Sequence, residues 1–361
     1  MKLLVINTNR FDRNGISITI MNILRQFWKD DIIADVVAST IISPEFKKEI
    51  EENASLYFFQ SRNRNPIKYI LSLKKVIKTG KYDLIYIHGN SGTIVSEILA
   101  AMPFKKKLGL KICIHAHGSE TSHPIIHKLF RKFAVSQSSC NLAASNLAGD
   151  FLFHERPFQV IPNGINPNEL AFDEQVRRQY RTNLGLNDDS KFVVQLGAFT
   201  PVKNYAFSLD VIEKVSQKDS KVRFGFYGSG RLESKIEETI VAKKLQDVVS
   251  LQGVSSDVSA VFSAADLVIF PSISETFGLV ALEAQAAGVP VLVSEAFTEE
   301  LSLTPLIQYL ELNVDSWTRA IVSSDRNDFH ESAKYGKLIQ TAGYDIHDRV
   351  RYLEKILLQI N

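Results

Sequence analysis

The residues most suggestive of chemistry lie in one window, PSISETFGLVALEAQAAGVP, residues 271–290. It follows the apolar run LVIF (267–270), which reads as a buried strand. Ligands of open parallel sheets bind beyond the carboxyl ends of the strands, so this Ser/Glu/Thr loop falls on the ligand side. A helix is expected to begin near Phe277, with Ser274 or Thr276 as its cap, and to end at Gly288 just before Pro290. The unpaired amides of residues 277–279 would then form a positive terminus suited to phosphate. Gly278 would let the backbone approach that phosphate closely. Glu275 stands in the loop and Glu283 about two turns into the helix. A carboxylate accepts two hydrogen bonds at once, which matches vicinal hydroxyls. The plainer reading is a pair of exposed helix glutamates. The combination of strand, polar loop, glycine and capped helix favours the functional reading.

A second group is the histidine pair of IHAHG, residues 114–118. His115 and His117 stand two apart on an expected strand, so both side chains face the same way. A His-x-His pair could hold a metal, but the sequence offers no third ligand in a matching setting, and no metal is expected. A structural histidine at a strand end remains the alternative reading for His117, and His115 is left undecided.

The elements that must position these groups alternate along the chain. Apolar β-rich runs at 3–6, 34–38, 56–59, 84–88, 111–116, 142–145 and 159–162 are separated by helical patterns such as 16–28, 66–78 and 125–133. Continuous apolar runs, unlike alternating ones, indicate strands covered on both faces, hence parallel sheets flanked by helices. After PNGI (162–165) a polar stretch intervenes, and the rhythm restarts at 192–196, 222–227, 248–251, 267–270 and 290–294. The expected organisation is an N-terminal Rossmann-like domain over 1–165, a linker over 166–190 and a C-terminal Rossmann-like domain over 191–335. A helical segment, 336–361, would pack back on the first domain. The fold class is α/β, two doubly wound domains facing a cleft.

Size and composition agree with this division. The chain has 361 residues, more than the roughly 250–300 at which single cores stop growing. It is 45% hydrophobic and 23% charged, the balance of a globular protein. A formal net charge of +2 gives no support for a nucleic-acid partner. Cys113 and Cys140 are too few for a disulfide framework and read as reduced thiols. The apolar start, residues 1–6, is too short for a signal peptide, and no run approaches the ~20 apolar residues that span a bilayer. The expectation is a cytoplasmic protein.

The Glu-x7-Glu window resembles that of the family-4 retaining glycosyltransferases, enzymes of the GT-B fold. The similarity runs in order along nearly the whole chain: RNGI (13–16), IHAHG (114–118), Ala144-Ser145, VIPNGI (160–165), Gly197 through Lys203-Asn204, YGSG (227–230) and Ala265-Asp266-Leu267. Within the family it is most similar to capsular and exopolysaccharide transferases, which also share NPIKYI (65–70) and LEAQ (282–285). The resemblance implies a retaining transfer from a nucleotide-sugar donor, a UDP-sugar by the family's usual habit. It places Glu275, with Thr276 and Phe277 in the same loop, at the reacting sugar and Glu283 on the ribose hydroxyls. Lys203, beside Asn204, would neutralise the diphosphate, supported by the amides of Gly278 and Leu279. Asn14 and Gly15 would close over the phosphate from the other domain. Val254 would meet the base through its backbone, and His117 would face the sugar. The donor is a co-substrate, and no cofactor is implied. The acceptor would be a saccharide.

One position departs from the family. An arginine usually follows the glycine matching Gly197; here it is Ala198. Loss of a fixed cation from a phosphate site removes a charge-assisted bond of about 1.5–3 kcal/mol. Arg231 or Arg13 could replace it, or donor binding could be weak. A third reading is a non-catalytic partner of another transferase. No Asp-x-Asp follows a cleft strand, so metal-independent chemistry is expected. A nucleotide-dependent oxidoreductase would need a G-x-G-x-x-G turn after the first strand, and residues 3–15 have none.

Two basic, aromatic segments, FKKKL (104–108) and HKLFRKF (127–133), suit an anionic membrane surface. A solvated basic face is the plain alternative. On the membrane reading the protein is peripheral on the inner face of the plasma membrane and its acceptor is lipid-linked.

Overall fold

The computed structural model describes residues 1–12, 14–30, 32–38, 41–59, 62, 64–275, 277–324 and 329–360. The chain divides into two units, Met1–Gly164 with Ile346–Asn361, and Ile165–Asp345.

The first unit is built on a seven-stranded parallel sheet. Its strands are β1 (Lys2–Asn7), β2 (Ile33–Ala38), β3 (Leu56–Phe58), β4 (Leu84–His88), β5 (Lys111–Ala116), β6 (Cys140–Ala143) and β7 (Gln159–Val160), in the order β3-β2-β1-β4-β5-β6-β7. β1, β4 and β5 are buried almost throughout, which is why their sequences read as unbroken apolar runs. One face carries Leu4, Ile6, Ile85, Ile87, Ile112 and Ile114 against helices Pro66–Gly80 and Val95–Leu108. The other carries Leu3, Val5, Tyr86 and Cys113 against helix Gly15–Lys29. The C-terminal helix Ile346–Gln359 joins that second layer through Ile346, Val350, Leu353 and Leu357. It is pinned there by His347 to Gln26 at 3.0 Å. Both cysteines are free, with Cys113 and Cys140 opposite one another across β5 and β6.

The second unit repeats the plan with six parallel strands: β8 (Lys191–Leu196), β9 (Val222–Tyr227), β10 (Val249–Gly253), β11 (Leu267–Phe270), β12 (Val291–Ser294) and β13 (Ile307–Leu310), in the order β10-β9-β8-β11-β12-β13. The edge strand β13 is only half-buried, and its weak apolar signal is absent from the sequence expectation.

Two boundaries differ from the sequence reading. Residues expected to be a linker are part of the second unit: helix Glu174–Asn183 lies within 166–190 and is tied to the sheet. Arg177 and Arg181 both pair with Asp266, at 2.5 and 3.0 Å, and Asp266 also accepts from the Phe192 amide at 2.7 Å. At the other end, residues 336–345 stay with the second unit, and only Ile346 onward returns to the first. The backbone explains the switch, since Ile165 donates to the Tyr344 carbonyl at 2.9 Å and pairs with Asp345.

Asp266 is 1% exposed and shared by two guanidinium groups. Removing one partner of such a buried arrangement leaves uncompensated charge, typically a 3–5 kcal/mol loss. Asp266→Ala is therefore expected to lower unfolding free energy by about 3–5 kcal/mol in urea titration.

Candidate functional site

In the second unit the chain runs outward from β8 to β9 and β10, then returns to place β11 on the other side of β8. This reversal is the topological switch point, where the loops leaving two neighbouring strands part and leave room for a ligand. Lys203 follows β8 and Glu275 follows β11, and the structure brings them together: the Lys203 ammonium forms an ion pair with the Glu275 carboxylate. Their side chains are only 26% and 17% exposed.

The two loops are fastened to each other by the Ile273 amide donating to the Val202 carbonyl at 2.8 Å. Gln195, on β8 and 2% exposed, donates to the Lys203 carbonyl at 2.8 Å and accepts from Ser208 at 2.6 Å. Gln195 was not singled out from the sequence; a lone amide inside an apolar strand was its signal. Residues 201–203 form a single 3-10 turn, ended by Asn204 at φ 58°. Asparagine tolerates that left-handed conformation, so Asn204 turns the chain from the lysine into helix Tyr205–Lys218.

Helix Leu279–Ala286 begins two residues later than expected, and its cap is Gly278 rather than Ser274 or Thr276. Gly278 has φ 92°, and a Cβ there would lie 2.3 Å from the Phe297 ring. Neither the backbone nor the space admits a side chain. Among the described residues no side chain caps this helix; the Ala281 and Leu282 amides donate to the Gly278 carbonyl, and those of Leu279 and Val280 are left for a ligand. Phe277 is a core residue, 6% exposed and stacked on Tyr344 at 5.5 Å. Glu283 sits on the second helical turn, and burial pushes its carboxyl up to about 7. Gly288 closes the helix at φ 79°, as its sequence context indicates. Thr276 and Arg13 lie outside the described residues.

Across the same sheet edge, the Gly228 amide donates to the Gly253 carbonyl at 2.8 Å, bringing the turn after β9 beside Val254, which is 56% exposed. The turn carrying Ala198 is bonded to the turn carrying Arg231: Phe199 donates to the Ser229 carbonyl and accepts from the Leu232 amide. Ala198 and Arg231 are both exposed.

In the first unit the switch point lies between β1 and β4. Asn14 and Gly15 follow β1, but the Asn14 side chain is already engaged. It accepts from the Ser17 amide at 3.0 Å and donates to the Arg10 carbonyl and to Asp12. Its role is to start helix Gly15–Lys29; the exposed Gly15 opens the first turn.

His117 is buried just past β5, with its amide donating to Asn90 Oδ1 at 2.9 Å. The structure supplies the third histidine that the sequence reading did not find. His88 ends β4, next to β5, and its Nδ1 lies 2.8 Å from His117 Nε2. His115 Nδ1 is 2.7 Å from the Tyr86 hydroxyl. Burial depresses all three imidazoles, His117 to about 4, so each is neutral at ordinary pH. Atoms of the three rings come within 4.8 Å of one another, the spacing of a candidate metal cluster. The rings, however, lie nearly parallel, tilted by 19–32° at centroid separations of 4.3–5.5 Å. A metal must lie in the plane of every imidazole that binds it, at about 2.0–2.1 Å. His88 and His117 meet edge to edge, with Nδ1 and Nε2 only 2.8 Å apart. Two nitrogens on one tetrahedral metal at those bond lengths would stand roughly 3.3 Å apart, so as placed they bond to each other and not to an ion.

A glycosyltransferase family 4 model matches residues 13–169, and a glycosyl transferases group 1 model matches 176–300. The chain is 22% identical over 359 residues to EpsF of Bacillus subtilis (strain 168), named a glycosyltransferase, covering 94% of this chain and 92% of that protein. It is 24% identical over 267 residues to an Escherichia coli UDP-Gal:alpha-D-GlcNAc-diphosphoundecaprenol alpha-1,3-galactosyltransferase, covering 68% and 67%. Among solved structures, Anabaena HepE in complex with UDP-glucose superposes with a TM-score of 0.79 at 18% identity, covering 99% of this chain and 100% of that one. WaaG, a glycosyltransferase involved in lipopolysaccharide biosynthesis, gives 0.71 at 15% identity, covering 98% and 99%.

The elevated Glu283 pKa has a consequence for stability. Its folded value of about 7 exceeds the ~4.3 of an unfolded glutamate, so the folded state holds the proton more tightly. The contribution is full below about 4 and is lost as pH rises through about 7. Urea unfolding at pH 5 and pH 8 is expected to show wild type losing stability relative to Glu283→Gln at the higher pH.

Proposed function

The chain belongs to the family-4 glycosyltransferases of GT-B fold, related to bacterial exopolysaccharide enzymes, and we propose that it transfers a hexose or N-acetylhexosamine from a UDP-sugar to a lipid-linked saccharide, with retention and without metal. The carrying observation is the Lys203–Glu275 pair at the β8/β11 switch point, with the Gly278–Leu279 amides on the same β11 loop. On this reading the diphosphate takes the ammonium and the helix amides, and releases Glu275 to the reacting sugar. A lysine neutralises the departing diphosphate as a metal does in other transferases.

Glu283 takes the ribose hydroxyls. A carboxylate accepting both of them must be ionised, so binding draws a proton from a group poised at about 7. Val254 meets the base by its backbone, and Arg231, from the turn bonded to that of Ala198, supplies the missing cation. His117 serves the sugar as a neutral imidazole, and Gly15 offers the first-turn amide of its helix. The acceptor oxygen bonds to the anomeric carbon as the bond to the diphosphate breaks, and the departing phosphate oxygen takes the hydroxyl proton. The complexes of HepE with UDP-glucose and the named substrate of the E. coli galactosyltransferase support the donor and acceptor classes.

The absent arginine at Ala198 favours a second reading, a non-catalytic partner subunit, and calorimetry with UDP and GDP in EDTA separates the two. Metal-free UDP binding is expected, weakened about 10- to 150-fold by Lys203→Ala, the equivalent of a charge-assisted bond of about 1.5–3 kcal/mol. Glu275→Ala is expected to bind UDP yet abolish transfer; transfer at the wild-type rate would overturn its assignment. No nucleotide binding at all would favour the partner reading.

The lipid-linked acceptor has its own support. Helix Pro124–Ser136 turns Ala134 and Val135 inward and leaves Ile125 and Leu129 at 74% and 68% exposure, with Ile126, Phe130 and Phe133 also exposed. Lys128 and Lys132 are exposed beside them. Lys105 donates to the Gln137 carbonyl at 2.6 Å, bringing the 105–107 lysines to the end of this helix. Apolar side chains bordered by cations suit an anionic bilayer. The protein is expected to pellet with phosphatidylglycerol vesicles and not with phosphatidylcholine ones. The pair Ile125→Asp with Leu129→Asp is expected to stay in the supernatant; unchanged pelleting would remove the membrane from the reading.

A further inference from the structure

We propose that Cys140 and Cys113 form a reversible oxidation site: hydrogen peroxide converts the two thiols to an intramolecular disulfide, and the pairing keeps Cys140 from being oxidised beyond recovery.

The pairing is built into the sheet. Cys113 on β5 and Cys140 on β6 are register partners in a parallel ladder, and both are free. Both side chains leave the same face of the sheet and pack into the cluster that lies against helices Gly15–Lys29 and Ile346–Gln359. Neighbouring strands run about 4.7–4.9 Å apart. A disulfide needs Cα atoms roughly 4.4–6.8 Å apart with side chains that do not diverge, and register partners on adjacent strands meet that need. The thiols are already in contact, since Cys113 and Cys140 share a side-chain hydrogen bond. Closing the bond calls for side-chain rotation within an intact ladder.

The two thiols differ in access. Cys113 is 0% exposed, and its register partner on the β4 side, Tyr86, is equally buried. Cys140 is half-buried at the first position of β6, next to the exposed Ser139. A thiol buried in apolar surroundings is inert toward solutes, whereas a partly exposed one is open to them. Hydrogen bonding from the Cys113 thiol also lowers the proton affinity of Cys140, which favours the same order. Peroxide therefore meets Cys140 first, and Cys113 is the resolving thiol behind it.

The steps balance. The Cys140 thiolate sulfur attacks one peroxide oxygen; an S–O bond forms, the O–O bond breaks, and the second oxygen leaves as hydroxide, taking up the proton that the thiol gave up. Cys140 is then a sulfenic acid. The Cys113 sulfur attacks the Cys140 sulfur, the S–S bond forms as the S–O bond breaks, and the departing hydroxide takes the Cys113 proton as a second water. Two thiols have lost two electrons and two protons, and one peroxide has become two waters. A sulfenic acid with a thiol beside it condenses to a disulfide, which reductants reverse; without that thiol, further peroxide carries it to the irreversible sulfinic acid.

The test treats the full-length protein with hydrogen peroxide, blocks the remaining thiols, and digests with trypsin, which cuts at Lys128 and Lys132 between the two cysteines. A monomer lighter by two hydrogens is expected, with the two peptides joined through Cys113 and Cys140 and both thiols recovered in dithiothreitol. Cys113→Ala keeps a small apolar side chain in the core. It is expected to leave Cys140 as a sulfenic acid that dimedone traps, and to lose most of the dithiothreitol-recoverable thiol as the peroxide dose rises. Wild-type protein whose Cys140 reaches sulfinic acid while Cys113 stays free would overturn the proposal. A disulfide formed only between two copies would do the same. So would two thiols that survive in the folded protein at a peroxide dose that oxidises them in urea, or equal thiol recovery in wild type and Cys113→Ala.

Discussion

In each sheet the strand order reverses beside the unit's first strand, between β1 and β4 and between β8 and β11, and the polar chemistry hangs on those two reversals. The central strands are otherwise buried on both faces, and a charged side chain among them would carry a heavy desolvation cost. At a reversal the connections leave in opposite directions and the strand ends stand open. Lys203, Glu275 and the uncapped helix at Leu279 use one such gap; Asn14, Gly15 and His88 lie at the other. The fold thus limits where a half-buried cation or carboxylate can be held, and the sequence places its unusual residues within those limits.

The Lys203–Glu275 pair shows how such a gap is kept ready. Two half-buried charges satisfy each other, while neutral groups fix the loops that carry them: Gln195 under the lysine turn, and the Ile273 amide across to Val202. On the proposed reading an incoming anion does not have to create a binding charge; it exchanges one partner of an existing pair. That exchange is less costly than desolvating a free ammonium, because the lysine is already partly withdrawn from water. Gly278 contributes differently, since its left-handed backbone and the Phe297 ring together stop the helix at Leu279 and deny it a side-chain cap.

Much of this was legible in the sequence because burial on both faces writes an unbroken apolar run, and because PSISETFG marks the strand-to-helix passage with its own polar residues. The parts that were not legible share a cause. Helix Glu174–Asn183 is tied to its unit by Arg177 and Arg181 on Asp266, with only Tyr180 packing on the core, so its sequence reads as solvent-facing. The return of the chain at Ile346 depends on a backbone pairing of Ile165 with Asp345, which no side chain announces. The Asn14 side chain caps a helix, a use that residue type alone does not distinguish from a ligand contact. His88 lies 29 residues before His117 in the sequence, and only the adjacency of β4 and β5 makes them neighbours.

The histidine stack also shows why residue types alone misjudge a site. Three imidazoles gathered in one place would ordinarily argue for a metal, and their depressed proton affinities would agree, since metals take neutral rings. Ring orientation decides otherwise. Parallel strands repeat the same side-chain direction at matching positions, so His115 and His117, two apart on one face, stack at 4.3 Å, and His88 comes alongside from the next strand. His115 stacks face to face on His117, whereas His88 meets His117 edge to edge, and at 2.8 Å their nitrogens are closer than two ligands of one ion would stand. The sheet's regularity is what sets His88 edge to edge with the imidazole that stands beyond the strand end.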